Sequence, residues 1–228
     1  MNQRQATILE LLLKEYVSTA QAISSNYIVE KYHLEFSSAT VRNELMELEA
    51  EGYIAQPHTS AGRIPTEKAY RWLIDNLEPK KLNAKMTDKL GCFQDCQEAN
   101  LKVVAKSLAE QSNLAVFWAF HRHNVYYTGI SNLLHQAEFD HTNLIYDISA
   151  IIDRVDEIIN DSFDKFQFGP QTLLGSDSPF GPFTASILSK YQTADYKGAF
   201  GIIGPLRQNY ELNWQLINYL YEKICDQK

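Results

Sequence analysis

The chain has 228 residues, 45 % hydrophobic and 21 % charged, which predicts a globular protein of one large or two modest domains and excludes a chain disordered as a whole. Its formal net charge of −7 excludes a molecule built as a whole to coat an anionic polymer, so contact with nucleic acid has to come from a local patch. Three cysteines (Cys92, Cys96, Cys225) without framework spacing, no run of about 18 apolar residues and no signal-peptide pattern lead us to expect a soluble cytoplasmic protein with no membrane partner.

Residues 3–19 place Ile8, Leu9, Leu12, Leu13, Tyr16 and Val17 on one face at helical spacing. A shorter helix follows in SSNYIVEKY, capped by Ser24 or Ser25. A third, in SSATVRNELMELEAEGYI, begins after Ser37. Val41, Leu45, Leu48 and Ala50 are expected to face inward there, and Gly52 to stop the helix. Tyr53–Gln56 and Arg63–Ile64 read as short strands around the loop PHTSAGR, and Thr66 as the cap of a fourth helix, EKAYRWLIDNL. This order over residues 1–77 is that of a winged helix-turn-helix, with the loop as the wing tip.

Residues 78–112 read as a polar joint, EPKKLNAKMTDK, and a connecting helix near 87–111. Its apolar stripe is thin: Leu90, Phe93, Leu101, Val104 and Leu108. Residues 113–228 turn β-rich. LAVFWAF and VYYTGIS, split by HRHN, suggest a hairpin, and LIYDISAIIDRVDEIIND a helix. QTLLG, TASILSKYQ and KGAFGIIG read as three more strands, and NYELNWQLINYLYEKI as a closing helix. The expected fold class is therefore α+β, with an antiparallel second domain whose conspicuous loop is SDSPFGPF. Phe117, Trp118, Phe200, Trp214 and Tyr219 are expected to be packing residues, and no cofactor is expected.

In a winged helix the third helix enters the major groove. The exposed side of this one offers Ser38, Thr40, Arg42 and Asn43. An arginine matches guanine O6 and N7, an asparagine adenine N6 and N7, and hydroxyls with free N–H groups at a helix start suit phosphate. Glu44, Glu47, Glu49 and Glu51 are expected to point away from DNA. The competing reading is a solvated helix whose Arg42 pairs with its own glutamates. At the wing, Gly62 permits a tight turn and Pro65 limits where the second strand starts, while His58, Thr59 and Ser60 let the backbone approach a phosphate. Arg63 can reach a phosphate or a narrow minor groove, and Lys68 and Arg71 extend the basic edge. Residues 1–76 carry 7 Lys and Arg against 10 Asp and Glu, a balance of −3, so base contacts and dimerisation must supply affinity that phosphate neutralisation does not. No enzyme and no metal site are expected. His58, Ser60 and Glu67 lack a nucleophile elbow, and His121, His123, His135 and His141 lack partners at ligand spacing.

The run SSATVRNELMELEAEGYIAQPHTSAGRIPTEKAYR, most closely from Ala39 to Arg71, resembles the winged-helix signature of the heat-inducible transcription repressor HrcA family. GISNLLHQAEF at 129–139 and GAFGIIGPLRQNY at 198–210 are similar to that family's GAF-like domain. The resemblance implies a repressor that binds an inverted repeat of double-stranded DNA upstream of chaperone genes, kept active by the chaperonin GroEL until heat diverts it. The chain departs from the family where an inserted dimerisation domain is usual. Between the strands at Leu114–Phe120 and Val125–Ser131 only HRHN remains, so the GAF-like domain is reduced. A homodimer is still expected, since inverted repeats are read by two-fold symmetric proteins. Its candidate surfaces are the 90–108 stripe and the aromatic outer faces of the second domain. The alternative function is an interaction or ligand-sensing regulator whose GAF-like domain binds a small molecule or a protein.

Overall fold

A computed structural model describes residues 1–226 other than 60, 79, 91–95, 141, 194 and 195, with the backbone path only at 139, 140 and 142–147. The expectations for Ser60, Cys92, Phe93 and His141 lie outside the described residues. The chain divides into two compact units, Met1–Leu77 and Glu78–Lys228.

The first unit runs α1 (Gln3–Thr19), α2 (Ser25–Tyr32), α3 (Ser38–Ala50), β1 (Ile54–Ala55), β2 (Ile64–Pro65) and α4 (Glu67–Asp75). Asn2 and Gln5 close a capping box at the start of α1, and Ser24 and Ser37 accept from the third amide of α2 and α3. Ile8, Leu9, Leu12 and Leu13 of α1 are buried, as are Ile28, Val41, Leu45 and Leu48 of the α2 and α3 helices it packs on, each side chain stabilising by about 1.5–3 kcal/mol relative to exposure. Ala50 is exposed, contrary to expectation, because it lies two residues past Leu48 and off the buried stripe. Gly52, at φ 79°, ends α3. Tyr53 N donates to Leu48 O and Gly52 N to Glu49 O, both at 2.9 Å, the paired bonds of a Schellman end.

A charged contact ties α1 to α2. Glu15 is almost wholly buried and accepts from Lys31 Nζ (2.6 Å), Tyr32 Oη (2.6 Å) and Tyr27 Oη (2.7 Å). Led by Lys31, these donors outweigh burial and hold its carboxyl down at about 2. Burial first, and then Glu15, pushes the Tyr32 phenol up to about 12.

Strands β1 and β2 pair antiparallel, Ile54 with Pro65 and Ala55 with Ile64. Ile23 adds a bridge on the far side, exchanging amide bonds with Arg63 at 2.9 and 2.8 Å. This explains Gly62 differently from a turn requirement. A Cβ there would lie 2.5 Å from the backbone C and O of Ile23, so the glycine serves a close approach of two backbone segments. Thr66 precedes α4 as expected but makes no side-chain cap bond. Its hydroxyl donates to Gly52 O (2.8 Å) and Tyr53 O (2.9 Å), fastening the foot of the hairpin to the end of α3.

The second unit runs α5 (Ala84–Lys89), α6 (Glu98–Ser112), β3 (Ala115–His121), β4 (Asn124–Thr128), α7 (Ile130–Leu134), α8 (Thr142–Asp153), α9 (Val155–Ser162), β5 (Gly169–Leu174), β6 (Thr184–Gln192), β7 (Lys197–Pro205) and α10 (Tyr210–Cys225). Its antiparallel sheet has the order β4–β3–β7–β6–β5, so the class is α+β. Three sequence expectations are corrected. The helix near 87–111 is two, α5 and α6, and Leu90, Leu101, Val104 and Leu108 are buried within the unit, so this stripe is not an exposed dimer surface. The helix through 144–161 breaks at Arg154. VYYTGIS leaves the sheet at Thr128, where Gly129 at φ 73° turns the chain into α7 and a Cβ would collide with the Leu114 carbonyl.

Side chains alternate across β3. Ala115, Phe117 and Ala119 join Val155, Ile159 and Phe180 in one core layer. On the other face Trp118 stacks on Phe200 at 4.6 Å and donates from Nε1 to Tyr191 Oη at 2.9 Å. The SDSPFGPF loop is no open tip, because Phe180 at its centre is fully buried beside Phe117. The stretches 129–139 and 198–210 meet physically. Arg207 forks onto Glu138, with Nη2 to Oε2 at 2.9 Å, and reaches Gln136 Oε1 at 3.3 Å.

Candidate nucleic-acid interface

In the first unit the start of α2, one face of α3 and the hairpin enclose an open groove of about 950 Å³. Ser38, Arg42, Thr59 and Arg63 all line it, so residues up to 25 positions apart in sequence share one concave surface. Arg42 and Asn43 are exposed, and among the described residues the Arg42 side chain makes no hydrogen bond or ion pair. The pairing of Arg42 with its own glutamates that the competing reading expects is absent among the described residues. Thr40 is half-buried, and its hydroxyl shares a 3.0 Å hydrogen bond with Ser37 at the helix start. His58 and Thr59 are exposed at the hairpin tip.

The other basic candidates are engaged. Arg63 pairs with Glu49 (Nη2 to Oε2, 2.8 Å) and keeps only 15 % of its side chain exposed. Lys68 donates to Glu51 O at 2.7 Å and covers the Tyr53 ring, helping to finish α3. Arg71 forks onto Glu67 one turn earlier, at 2.9 and 2.6 Å.

The glutamates of α3 separate by face. Glu44 turns to Arg4 (3.1 Å) and Glu47 to Gln5 Nε2 (2.6 Å), both on α1 and off the groove. Glu49 departs from expectation and lines the groove, because residues 42, 46 and 49 follow one another at helical spacing.

The family described as HrcA protein C terminal domain matches residues 34–212. The chain belongs to the HrcA family. Among relatives, the heat-inducible transcription repressor HrcA of Clostridioides difficile (strain 630) is 39 % identical over 114 residues, 50 % of this chain and 33 % of that protein. The HrcA of Mycoplasmoides gallisepticum (strain R(low / passage 15 / clone 2)) is 50 % identical over 91 residues, 40 % of this chain and 26 % of that protein. The chain thus matches a third or less of the length of these relatives. A crystal structure of a hypothetical protein at 2.2 Å resolution shares the fold, with a TM-score of 0.80 and 17 % identity over 100 % of this chain and 98 % of that one.

In this HrcA-family chain, Met46, Gln56 and the α2 start at Ser24–Asn26 also line the groove, beyond the candidates that the sequence offers. Met46 had a legible signal, since it stands four residues after Arg42 and is a large apolar side chain that remains 56 % exposed. Gln56 had none. Its Nε2 donates to Thr59 O and Ala61 O, both at 3.0 Å, a clasp that only the folded loop reveals.

Proposed function

We propose that this HrcA-family chain is a sequence-specific DNA-binding repressor of heat-shock chaperone genes. The first unit acts as a winged helix and the second as a reduced GAF-like domain without a catalytic role. The observation that carries the reading is the exposed Arg42, which pairs with no described residue, on the groove face of α3 between the hairpin and the α2 start. The names of the relatives, transcription repressors, point the same way.

The mechanism follows from the geometry. The N-terminal half of α3 enters the major groove. Arg42 reads a guanine through a bidentate contact and Asn43 an adenine, while Ser38, Thr40 and the free amides at the helix start hold a phosphate. The hairpin tip, with His58 and Thr59, lies along the sugar–phosphate backbone and fixes register. Lys68 and Arg71 contribute positive potential at the edge rather than direct contacts. Because the first 76 residues are net negative, two copies on an inverted repeat supply the affinity that one lacks. Occupancy of the repeat blocks transcription, and the chaperonin GroEL is the partner that maintains the binding form. No helix among the described residues is long and apolar enough to cross a membrane, and the cytoplasm is the compartment this function requires. Enrichment of duplexes from a randomised pool tests the reading. A repeated inverted motif is expected, and recovery of no common sequence would contradict it.

A further inference from the structure

We infer that Glu49 is a positioning residue that sets the hairpin over α3, an inference that rests on the DNA reading above. Its two carboxylate oxygens hold opposite legs of the hairpin. Oε1 accepts from Gln56 N at 3.1 Å where the loop begins, and Oε2 pairs with Arg63 Nη2 at 2.8 Å where it ends. Gln56 then clasps the carbonyls of Thr59 and Ala61, and Arg63 is pinned through its backbone to Ile23. One side chain on α3 therefore references both ends of the loop to the helix that carries Arg42.

The placement is otherwise hard to understand. A carboxylate lining a groove that receives a polyanion opposes binding, so its presence there calls for a compensating gain, and a pre-organised loop is such a gain. Arg63 belongs to the same device. Its guanidinium is largely buried, its Nε has no partner among the described residues, and swinging it out to a phosphate would strand Glu49 without its counter-charge. Arg63 is thus a strut of the hairpin rather than a phosphate contact.

Charge repulsion and hairpin positioning by Glu49 have opposite signs on substitution. If its charge is all that matters, Glu49→Gln and Glu49→Ala remove the same repulsion and both tighten binding. If it positions the hairpin, affinity falls in the order wild type, Glu49→Gln, Glu49→Ala, because glutamine retains an acceptor for the Gln56 amide. The test uses the full chain and a duplex that the wild type has enriched from a randomised pool. Glu49→Ala is expected to bind about ten-fold more weakly or worse. Adding Arg63→Ala should cost little more, and the salt dependence should stay that of the wild type. Faster exchange of the Gln56 amide without DNA reports the loosened loop, and the isosteric glutamine variant separates this from a failure to fold. Variants that bind as tightly as the wild type, or tighter, overturn the inference and leave the DNA reading standing. A wild-type chain that enriches no duplex overturns the DNA reading and the inference with it.

Discussion

At the scale of single residues, Arg42 and Glu15 do opposite kinds of work. Arg42 is held by nothing within the described chain, so its truncation should leave stability almost untouched. Arg42→Ala is expected to cost about 1–3 kcal/mol of specific binding and to relax the preference at one base position, measured by competition among single-base variants of the bound duplex. Glu15 is held by three donors and acts on stability. Its folded carboxyl titrates at about 2 against an ordinary 4.5, so its contribution is complete above about pH 4.5 and is lost as pH falls through about 2. Glu15→Gln should therefore destabilise the first unit by about 1–2 kcal/mol near neutral pH, since the half-exposed Lys31 is screened by solvent, with a deficit that shrinks toward about pH 2. Hydrogen exchange of α1 amides at neutral and acid pH measures it, and a pH-independent deficit would contradict the assignment.

At the scale of elements, helix spacing and cap residues were legible because they are local. The bounds of α1 and the caps of α2 and α3 follow from apolar stripes and hydroxyls a few positions apart. Longer reaches were not legible. Nothing in the sequence says that Thr66 turns back to Gly52 and Tyr53, that Glu49 faces Arg63, or that Gly62 exists to admit the Ile23 backbone, since each depends on a neighbour brought up by the fold. Gly62→Ala is accordingly expected to push the hairpin off Ile23 and to cost about 1–3 kcal/mol, detected as faster exchange at the Arg63 amide. The stripe on α6 misled for a related reason. It was thin in sequence because α6 covers one face of β3 and leaves Val103 and Lys106 outside. Leu101→Ala should destabilise the second unit by about 2–5 kcal/mol, measured by denaturant unfolding, and leave the oligomeric state of the folded protein unchanged.

At the scale of the whole molecule, β3 and β4 join through the two-residue turn Arg122–His123, where the family resemblance implies a further domain. The two copies proposed for the inverted repeat are therefore expected to meet through another surface, with their α3 helices on half-sites a whole number of helical turns apart. Sedimentation of the free chain and of its DNA complex checks this, with two copies per duplex expected. The most direct test of the central claim is a gel-shift series with the enriched inverted repeat, a single half-site and a scrambled duplex of equal length, at one salt concentration, for wild type and Arg42→Ala. The wild type is expected to bind the repeat far more tightly than the half-site and the half-site more tightly than the scrambled duplex, and Arg42→Ala to collapse these differences. Equal affinity of the wild type for all three duplexes, unchanged by Arg42→Ala, would contradict the claim.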